Sequence, residues 1–356
     1  MRKESLDFLK QLVSTHAPSG REAALQRVWL KYVSPFADET YSDAYGNTVA
    51  VLNKGGSPRI MISAHADEIA LAVNYIDADG FIYVRKLGGV DPGISRAQRI
   101  TIHTRKGPVH GVVGNVAPHL TNISGKREVP KVHELFIDIG AADQAAAKKI
   151  ARVGDPVTFN TEFEILRDDI AVSRVFDNRI GGYAIAETLR KLKPKRGKLH
   201  PEVCVVSNIM EEVGLLGARQ IAYELKPDAA IVIDVTHATD CPTINRQMHG
   251  DIKLGQGPTL THGVGNHEVL VERLEKTAKK AKIHLQHEAA SRTTGTDTDA
   301  IFITRGGIPS ALVSLPNRYM HSPVEMISLK DLEQIPELLT AFLLSVKKDE
   351  EFRVKI

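Results

Sequence analysis

Several stretches of this chain are apolar almost without interruption, and each runs into a histidine or an acid. Arg59-Ile-Met-Ile-Ser-Ala64 leads into His65, and Glu202-Val-Cys-Val-Val-Ser207 leads towards Glu211 and Glu212. Asp228-Ala-Ala-Ile-Val-Ile ends in Asp234, and Ser310-Ala-Leu-Val-Ser314 precedes His321. A strand with few charges is buried on both faces, which requires a sheet covered by helices on each side. The intervening segments supply helices. Residues 4–16 carry Leu6, Leu9 and Val13 on one face, widened by Phe8 and Leu12. Ser19 and Glu22 have capping-box spacing for a second helix through Ala24, Val28 and Tyr32. Further helices are expected at 180–192, 215–225, 266–282 and 329–346, alternating with strands at 47–52, 59–64, 202–207, 228–234, 283–287 and 310–314. That alternation predicts an α/β fold, with a sheet flanked by helices.

The middle of the chain has a different texture. Short strand-like pieces at 81–86, 98–104, 109–116 and 153–159 are separated by turns such as Gly88-Gly-Val-Asp-Pro-Gly93 and Lys106-Gly-Pro108. Strands at this spacing suggest a small β-barrel or sandwich. The expected organisation is a discontinuous α/β domain, residues 1–67 and 165–356, interrupted by an inserted β domain at 68–164.

Charge and cysteine usage exclude other classes. The 46 basic and 43 acidic residues leave a formal charge of +3, too balanced for a protein that coats nucleic acid. The basic run Lys191–Lys198 lacks interleaved aromatic residues and reads as a solvated loop. Cys204 lies in an apolar run as a core thiol, Cys241 precedes a proline, and neither belongs to a C-x-x-C zinc motif. The opening residues lack the apolar core of a signal peptide, and no stretch approaches the roughly 18 apolar residues of a membrane span. A cytoplasmic protein without a membrane or nucleic-acid partner is therefore expected. Asn122-Ile-Ser124 matches a glycosylation sequon that a cytoplasmic chain would not use. There is no phosphate-binding loop and no H-E-x-x-H, and Gly255-Gln-Gly257 lacks the third glycine of a dinucleotide fingerprint.

Five segments carry the candidate chemistry, all at ends of expected strands or helices. His65-Ala-Asp67-Glu68 places an imidazole and a carboxylate on one side of an extended chain. Asp177 precedes a Gly-Gly helix and reads as either a cap or a carboxylate shared by two ions. Glu211 and Glu212 point to opposite sides of an extended chain, as a solvated pair or as two different functional groups. Asp234 ends an apolar strand, and His321 follows another. Each alone has an ordinary structural reading. Together, two histidines and several carboxylates suit a pair of hydrolytic divalent ions.

On these residues the chain resembles the co-catalytic metallo-aminopeptidases that include glutamyl aminopeptidase and the tetrahedral aminopeptidases, some of which are labelled cellulase M or endoglucanase. The resemblance runs through His65-Ala-Asp67-Glu-Ile, Phe176-Asp177-Asn-Arg179, Glu211-Glu212-Val-Gly-Leu-Leu-Gly217, Asp234-Val-Thr, Thr298-Asp299-Ala300 and Arg318-Tyr-Met-His321-Ser. The position of the extra domain, between H-x-D and Asp177, also follows this family. The resemblance implies a zinc-exopeptidase-like mixed sheet and an aminopeptidase that uses a water bridging two divalent ions. Zinc is the first expectation, and cobalt and manganese also suit the set. His65 and Asp234 would hold one ion, Glu212 and His321 the other, and Asp177 would bridge them. Glu211 would be general base and acid, and Asp67 would orient His65. It further implies peptide substrates and a homo-oligomer, a dimer-based tetrahedral dodecamer assembled through the insert and neighbouring surfaces. Ala66 stands where the family often has Met. The alternatives are an endoglucanase-like glycoside hydrolase, which would need two carboxylates facing one bond, and a non-catalytic metal-binding scaffold. Arg292, Asp297, Arg318 and a loop at 257–267 are candidates to line a pocket. The residues name neither the preferred N-terminal side chain nor a role for His119.

Overall fold

The computed structural model describes residues 1–120 and 128–356, so the sequon at 122–124 lies outside the described residues. The chain opens with α1 (Lys3–Ser14), α2 (Ala23–Val33), β1 (Glu39–Ser42), β2 (Thr48–Leu52) and β3 (Arg59–His65). There follow β4 (Ala70–Ile76), β5 (Ile82–Leu87), α3 (Pro92–Ser95), β6 (Arg99–Thr104), β7 (Gly107–Val113), β8 (Phe136–Asp138), α4 (Gln144–Ile150) and β9 (Pro156–Phe159). Next are β10 (Glu164–Arg167), β11 (Ile170–Ser173), α5 (Phe176–Leu192), β12 (Glu202–Asn208), α6 (Leu216–Leu225) and β13 (Ala229–His237). The remainder comprises α7 (Arg246–His249), β14 (Thr259–Gly263), α8 (Glu268–Ala281), β15 (Gln286–Ala290), α9 (Thr298–Ile301), β16 (Ser310–Asn317), β17 (Glu325–Ser328) and α10 (Leu329–Ser345).

Eight strands form one mixed sheet in the order β1-β2-β12-β3-β13-β16-β14-β15. The central four, β12, β3, β13 and β16, are mutually parallel. Their apolar sequences are explained by the layers on either side. Ile60, Ile62 and Ala64 of β3 join a core with α1, α2, α5, α8 and α10, through residues such as Leu9, Trp29, Tyr183, Leu274 and Phe342. Met61, one residue out of phase, joins Cys204, Val206, Ala218, Ile221 and Ile301 beneath α6 and α9. Strand period 2 thus feeds two cores from one apolar run. No helix among the described residues is long and apolar enough to cross a membrane.

The β-rich middle closes into a barrel, β4-β5-β8-β7-β6-β9, around Leu71, Val73, Ile82, Val84, Ile100, Ile102, Ile137 and Val157. Closure removes free strand edges, so barrel is the correct member of the barrel-or-sandwich pair. A smaller sheet, β10-β11-β17, lies after it.

Three expectations need correction. Ser19 does not cap α2, because its hydroxyl donates to Asp67 Oδ2 (2.7 Å) instead. The strand expected at 283–287 begins at Gln286. Lys282 closes α8 in the left-handed region (φ 58°), Ile283 N donates to Ala278 O (2.9 Å), and the turn consumes the intervening residues. The 257–267 segment is not a loop throughout, since Thr259–Gly263 is β14, antiparallel to β16. The glycines at 255, 257, 263 and 265 around that short strand read as loop signals and mask it.

Helix α5 lies close against β3, and Gly181 permits the approach. A Cβ at 181 would sit 2.7 Å from Ala64 Cβ and 2.4 Å from Asn178 Oδ1. Asn178 cannot swing away freely, because its amide donates to Ile233 O (2.8 Å) and its Oδ1 accepts from Gly181 N (2.9 Å). Gly181→Ala should therefore destabilise the fold by about 1–3 kcal/mol, the usual range for overpacking, measured by chemical denaturation. Activity should fall with it, because β3 and α5 carry His65 and Asp177.

Candidate metal centre

The carboxyl ends of the four parallel strands bring the chemistry-bearing residues together. His65 is the last residue of β3 and lies opposite Asn208, the last of β12. Two residues beyond Asn208, Met210 takes a left-handed conformation (φ 53°) and turns Glu211 and Glu212 over the sheet edge. Asp234 lies within β13, opposite Ser314 of β16. After β16, Tyr319 and His321 are also left-handed (φ 60° each). Non-glycine residues in this region carry strain, and here three of them sit in the two segments that bear Glu211, Glu212 and His321. Asp177 arrives from α5. It and Asn178 depart from helical geometry (ψ 108° and 46°), and Asn178 pins the bend to β13 through Ile233 O.

Asp177 is the meeting point. Its Oδ1 lies 3.2 Å from His65 Nε2 and its Oδ2 lies 3.3 Å from His321 Nε2. Around His65 Nε2 are Asp234 Oδ1 (3.7 Å) and Glu211 Oε2 (3.8 Å). Beside His321 Nε2 is Glu212 Oε2 (3.5 Å). The neighbouring glutamates face different imidazoles, but they do so at the start of a turn, where Gly214 N and Leu215 N donate to Glu211 O, rather than on the extended chain expected. Asp67 is fully buried. Its carboxylate approaches His65 Nδ1 at only 3.4 Å, while it accepts shorter bonds from Ser19 Oγ (2.7 Å) and Glu211 N (2.9 Å), with Glu212 N at 3.2 Å. It is held more closely by Ser19 and by the Glu211–Glu212 backbone than by the imidazole.

Other residues support the cluster without having been singled out from the sequence. Glu325 accepts from His321 N (3.0 Å) and from Asp177 N (2.9 Å), so one buried carboxylate fixes both. The only sequence signal was its four-residue spacing from His321. Glu68 takes Arg179 (2.9 Å) and Arg174 as partners and accepts from Ala17 N (2.6 Å). The Gly88–Gly89 turn, read from sequence only as a connection, lies against the site, and a Cβ at Gly89 would meet His321 Nδ1 at 2.5 Å. Of the acids at 295–299, Asp299 closes a turn by accepting from Thr294 N and Gly295 N. Asp297 is fully buried and accepts from Asn208 Nδ2 (2.7 Å). Arg318 is tied to Asp240 by two bonds (2.8 and 2.5 Å), while Arg292 and His119 are exposed.

The electrostatics of the cluster are those of crowded anions. Burial raises the Glu212, Asp234 and Glu211 carboxyls well above the ordinary range, and neighbouring carboxylates raise them further. Burial likewise lifts Asp297 to about 6. Asp177 moves the other way, because hydrogen bonds from His321 and His65 outweigh its burial and hold it low. Burial alone would lower His65, but Glu211, Asp177 and Asp67 overcome it and raise it. Buried carboxylates at these separations require a positive partner. Imidazole nitrogens and carboxylate oxygens are the donors that hydrolytic divalent ions take. His65, Asp177 and Glu212 can offer donor atoms within 4.8 Å of one another, as can His65, Glu211 and Asp234. By donor chemistry and charge, these residues fit divalent metal.

A helix-covered sheet with such a cluster at its carboxyl edge has the donor groups that a metal-dependent hydrolase would need. Comparison with known proteins narrows the class. Residues 46–338 match the family model described as M42 glutamyl aminopeptidase. A lysyl aminopeptidase of Pyrococcus furiosus is 33% identical over 345 residues, covering 96% of this chain and 97% of its own. The crystal structure of a TET aminopeptidase from a marine sediment thaumarchaeon superposes with a TM-score of 0.91 at 31% identity, over 96% of each chain. A Pyrococcus horikoshii TET1 peptidase, described as assembling into a tetrahedron or a large octahedral shell, gives 0.86 at 29% identity, over 96% of this chain and 100% of its own. The chain belongs to the M42 glutamyl aminopeptidase family, and is a hydrolase of the metallo-aminopeptidase class.

Asp67→Asn keeps the shape of the side chain but replaces one of the oxygens that accept from Ser19 and the Glu211–Glu212 backbone. It should lower metal affinity or activity about 10- to 100-fold, the usual cost of losing a ligand-supporting partner. Metal titration of the purified variant with parallel rate measurements checks this.

Proposed function

We propose that this chain removes N-terminal residues from peptides with two divalent ions at the centre described above. The observation that carries this reading is the division of Asp177, one oxygen towards His65 (3.2 Å) and the other towards His321 (3.3 Å). In this reading Asp177 is shared between the ions, His65 and Asp234 complete one ligand set, and His321 and Glu212 the other. Zinc is the expected ion, with cobalt and manganese as further ions the donors suit. When bound, such ions polarise a scissile carbonyl and acidify a water.

Glu211 acts as general base and acid. Its carboxyl is buried beside Asp234, Asp297 and Asp177, and its proton affinity is raised accordingly. It accepts a proton as water adds to the carbonyl carbon. It returns a proton to the nitrogen as the C–N bond breaks, so the amine leaves neutral. Asp67 holds the Glu211 backbone, and Glu325 holds those of Asp177 and His321.

The family description names glutamyl and the relative above names lysyl, residues of opposite charge, so the side-chain preference of this chain needs its own measurement. We further propose a cytoplasmic homo-oligomer, a dimer-based tetrahedral dodecamer, with residues 68–164 as the inserted unit that assembles it. The tetrahedral assembly described for the horikoshii peptidase supports this.

Glu211→Gln should cut hydrolysis of aminoacyl chromogenic substrates by at least about 100-fold, the lower range for losing general acid–base catalysis, while leaving metal content unchanged. Wild-type turnover in that variant would overturn the assignment. Multi-angle light scattering of the intact protein should return a mass of twelve chains, and a clean monomer would contradict the assembly.

A further inference from the structure

We propose a second metal site, outside the centre described above, formed by His262, Glu275 and His287 and selective for a zinc-type divalent cation. The three residues come from three elements. His262 lies on β14, His287 on β15 and Glu275 on α8. Strand β14 runs antiparallel to β16. The end bearing His262 therefore points towards the amino edge of the parallel strands, opposite the edge that gathers His65 and His321. The site is spatially separate from that cluster and shares no residue with it.

The parallel register of β14 and β15 sets up the donors. Leu260 pairs with His287, and His262 pairs with Ala289. Alternation places Leu260, His262, His287 and Ala289 on one face of the sheet. That face lies under α8, since Leu260 shares a core with Leu270, Val271 and Leu274. Glu275 follows Leu274 and lies one helical turn beyond Val271, at the rim of the apolar stripe, where its carboxylate overhangs the two imidazoles.

The three donor atoms are close enough to share an ion. His262 Nε2 and His287 Nδ1 lie 2.9 Å apart, sharing a hydrogen bond between the two rings, and Glu275 Oε1 lies 3.8 Å from each nitrogen. All three donor atoms fall within 4.8 Å of one another. Zinc-to-ligand distances near 2.0–2.2 Å in a tetrahedron place donor atoms about 3.3–3.6 Å apart. Admitting the ion replaces the bond between the rings, opens the two imidazoles by about 0.4–0.7 Å and draws Glu275 in by about 0.2–0.5 Å. Without one, a separation of 3.8 Å is too long for a hydrogen bond from either imidazole to Glu275. Two imidazoles and one carboxylate favour zinc, copper or nickel over magnesium or calcium, which take oxygen donors. The side chains are 40%, 39% and 50% exposed, so water can complete the coordination and the ion can enter directly.

The site would tie β15, the outermost strand of the sheet, to β14 and α8. An edge strand has a neighbour on one side only and is the first to fray. A cation that binds only the folded arrangement raises its stability by mass action.

The test uses the full-length protein with its own centre loaded, titrated with zinc by equilibrium dialysis and metal analysis. Wild type should take up one more zinc per chain than the double variant His262→Gln/His287→Gln. Its melting temperature should rise with free zinc, and that rise should be absent in the variant. Aminoacyl hydrolysis by the variant should match wild type, which separates this site from the proposed catalytic one and shows that the variant folds. Glu275→Gln, a milder change, should weaken the additional equivalent at least about tenfold. Equal zinc uptake by wild type and the double variant would overturn the proposal, as would an equal zinc-dependent rise in melting temperature.

Discussion

The structure turns on carboxylates held side by side in a dry place. Asp177, Glu211, Glu212, Asp234, Asp297 and Glu325 gather around two histidines at one edge of the sheet, and burial makes their mutual repulsion expensive. Such a cluster persists only when the backbone holds it firmly and positive charge offsets it. The backbone contribution is visible in the left-handed residues Met210, Tyr319 and His321, and in the hold of Asp67 and Glu325 on neighbouring peptide nitrogens. The charge offset is what divalent ions would provide. The formal charge of +3 is a sum over the whole chain and hides this local gathering of acids.

The surrounding scaffold follows from this requirement. Parallel strands covered on both faces are stiff, and side chains at their carboxyl ends share one edge without any long loop to position them. The apolar runs that build β3, β12, β13 and β16 therefore do two jobs: they form the core, and they fix where His65, Asp234 and the Glu211–Glu212 pair emerge. The closeness of α5, permitted by Gly181, brings Asp177 into the same space from outside the sheet.

Much of this was legible in the sequence because it rests on local patterns. Apolar runs identified the central strands, short turn-punctuated strands marked the barrel, and acids or histidines at strand ends named the cluster. What the sequence hid was long-range. Ser19 reads locally as a helix cap, yet its hydroxyl is taken by Asp67, 48 residues away. Strand β14 is short and framed by glycines, and only its pairing with β15 and β16 makes it a strand. Glu325 gave almost no signal, since a carboxylate that binds two backbone nitrogens looks like any surface acid until the chain is folded. Asp297 and Asp299 are two residues apart, and only burial separates a site neighbour from a turn former.

The turn at Gly88–Gly89 joins two parts of the molecule that are otherwise easily imagined as independent. It belongs to the chain that builds the barrel, yet it closes against the His321 ring and the side chain of Glu212. The barrel is thus not an exchangeable attachment. A substitute grafted at the same place would have to present an equally slender turn at the same height, or it would crowd the imidazole out of position. Whatever else changes in the barrel, this small patch of bare backbone has to be kept for the imidazole to hold its place.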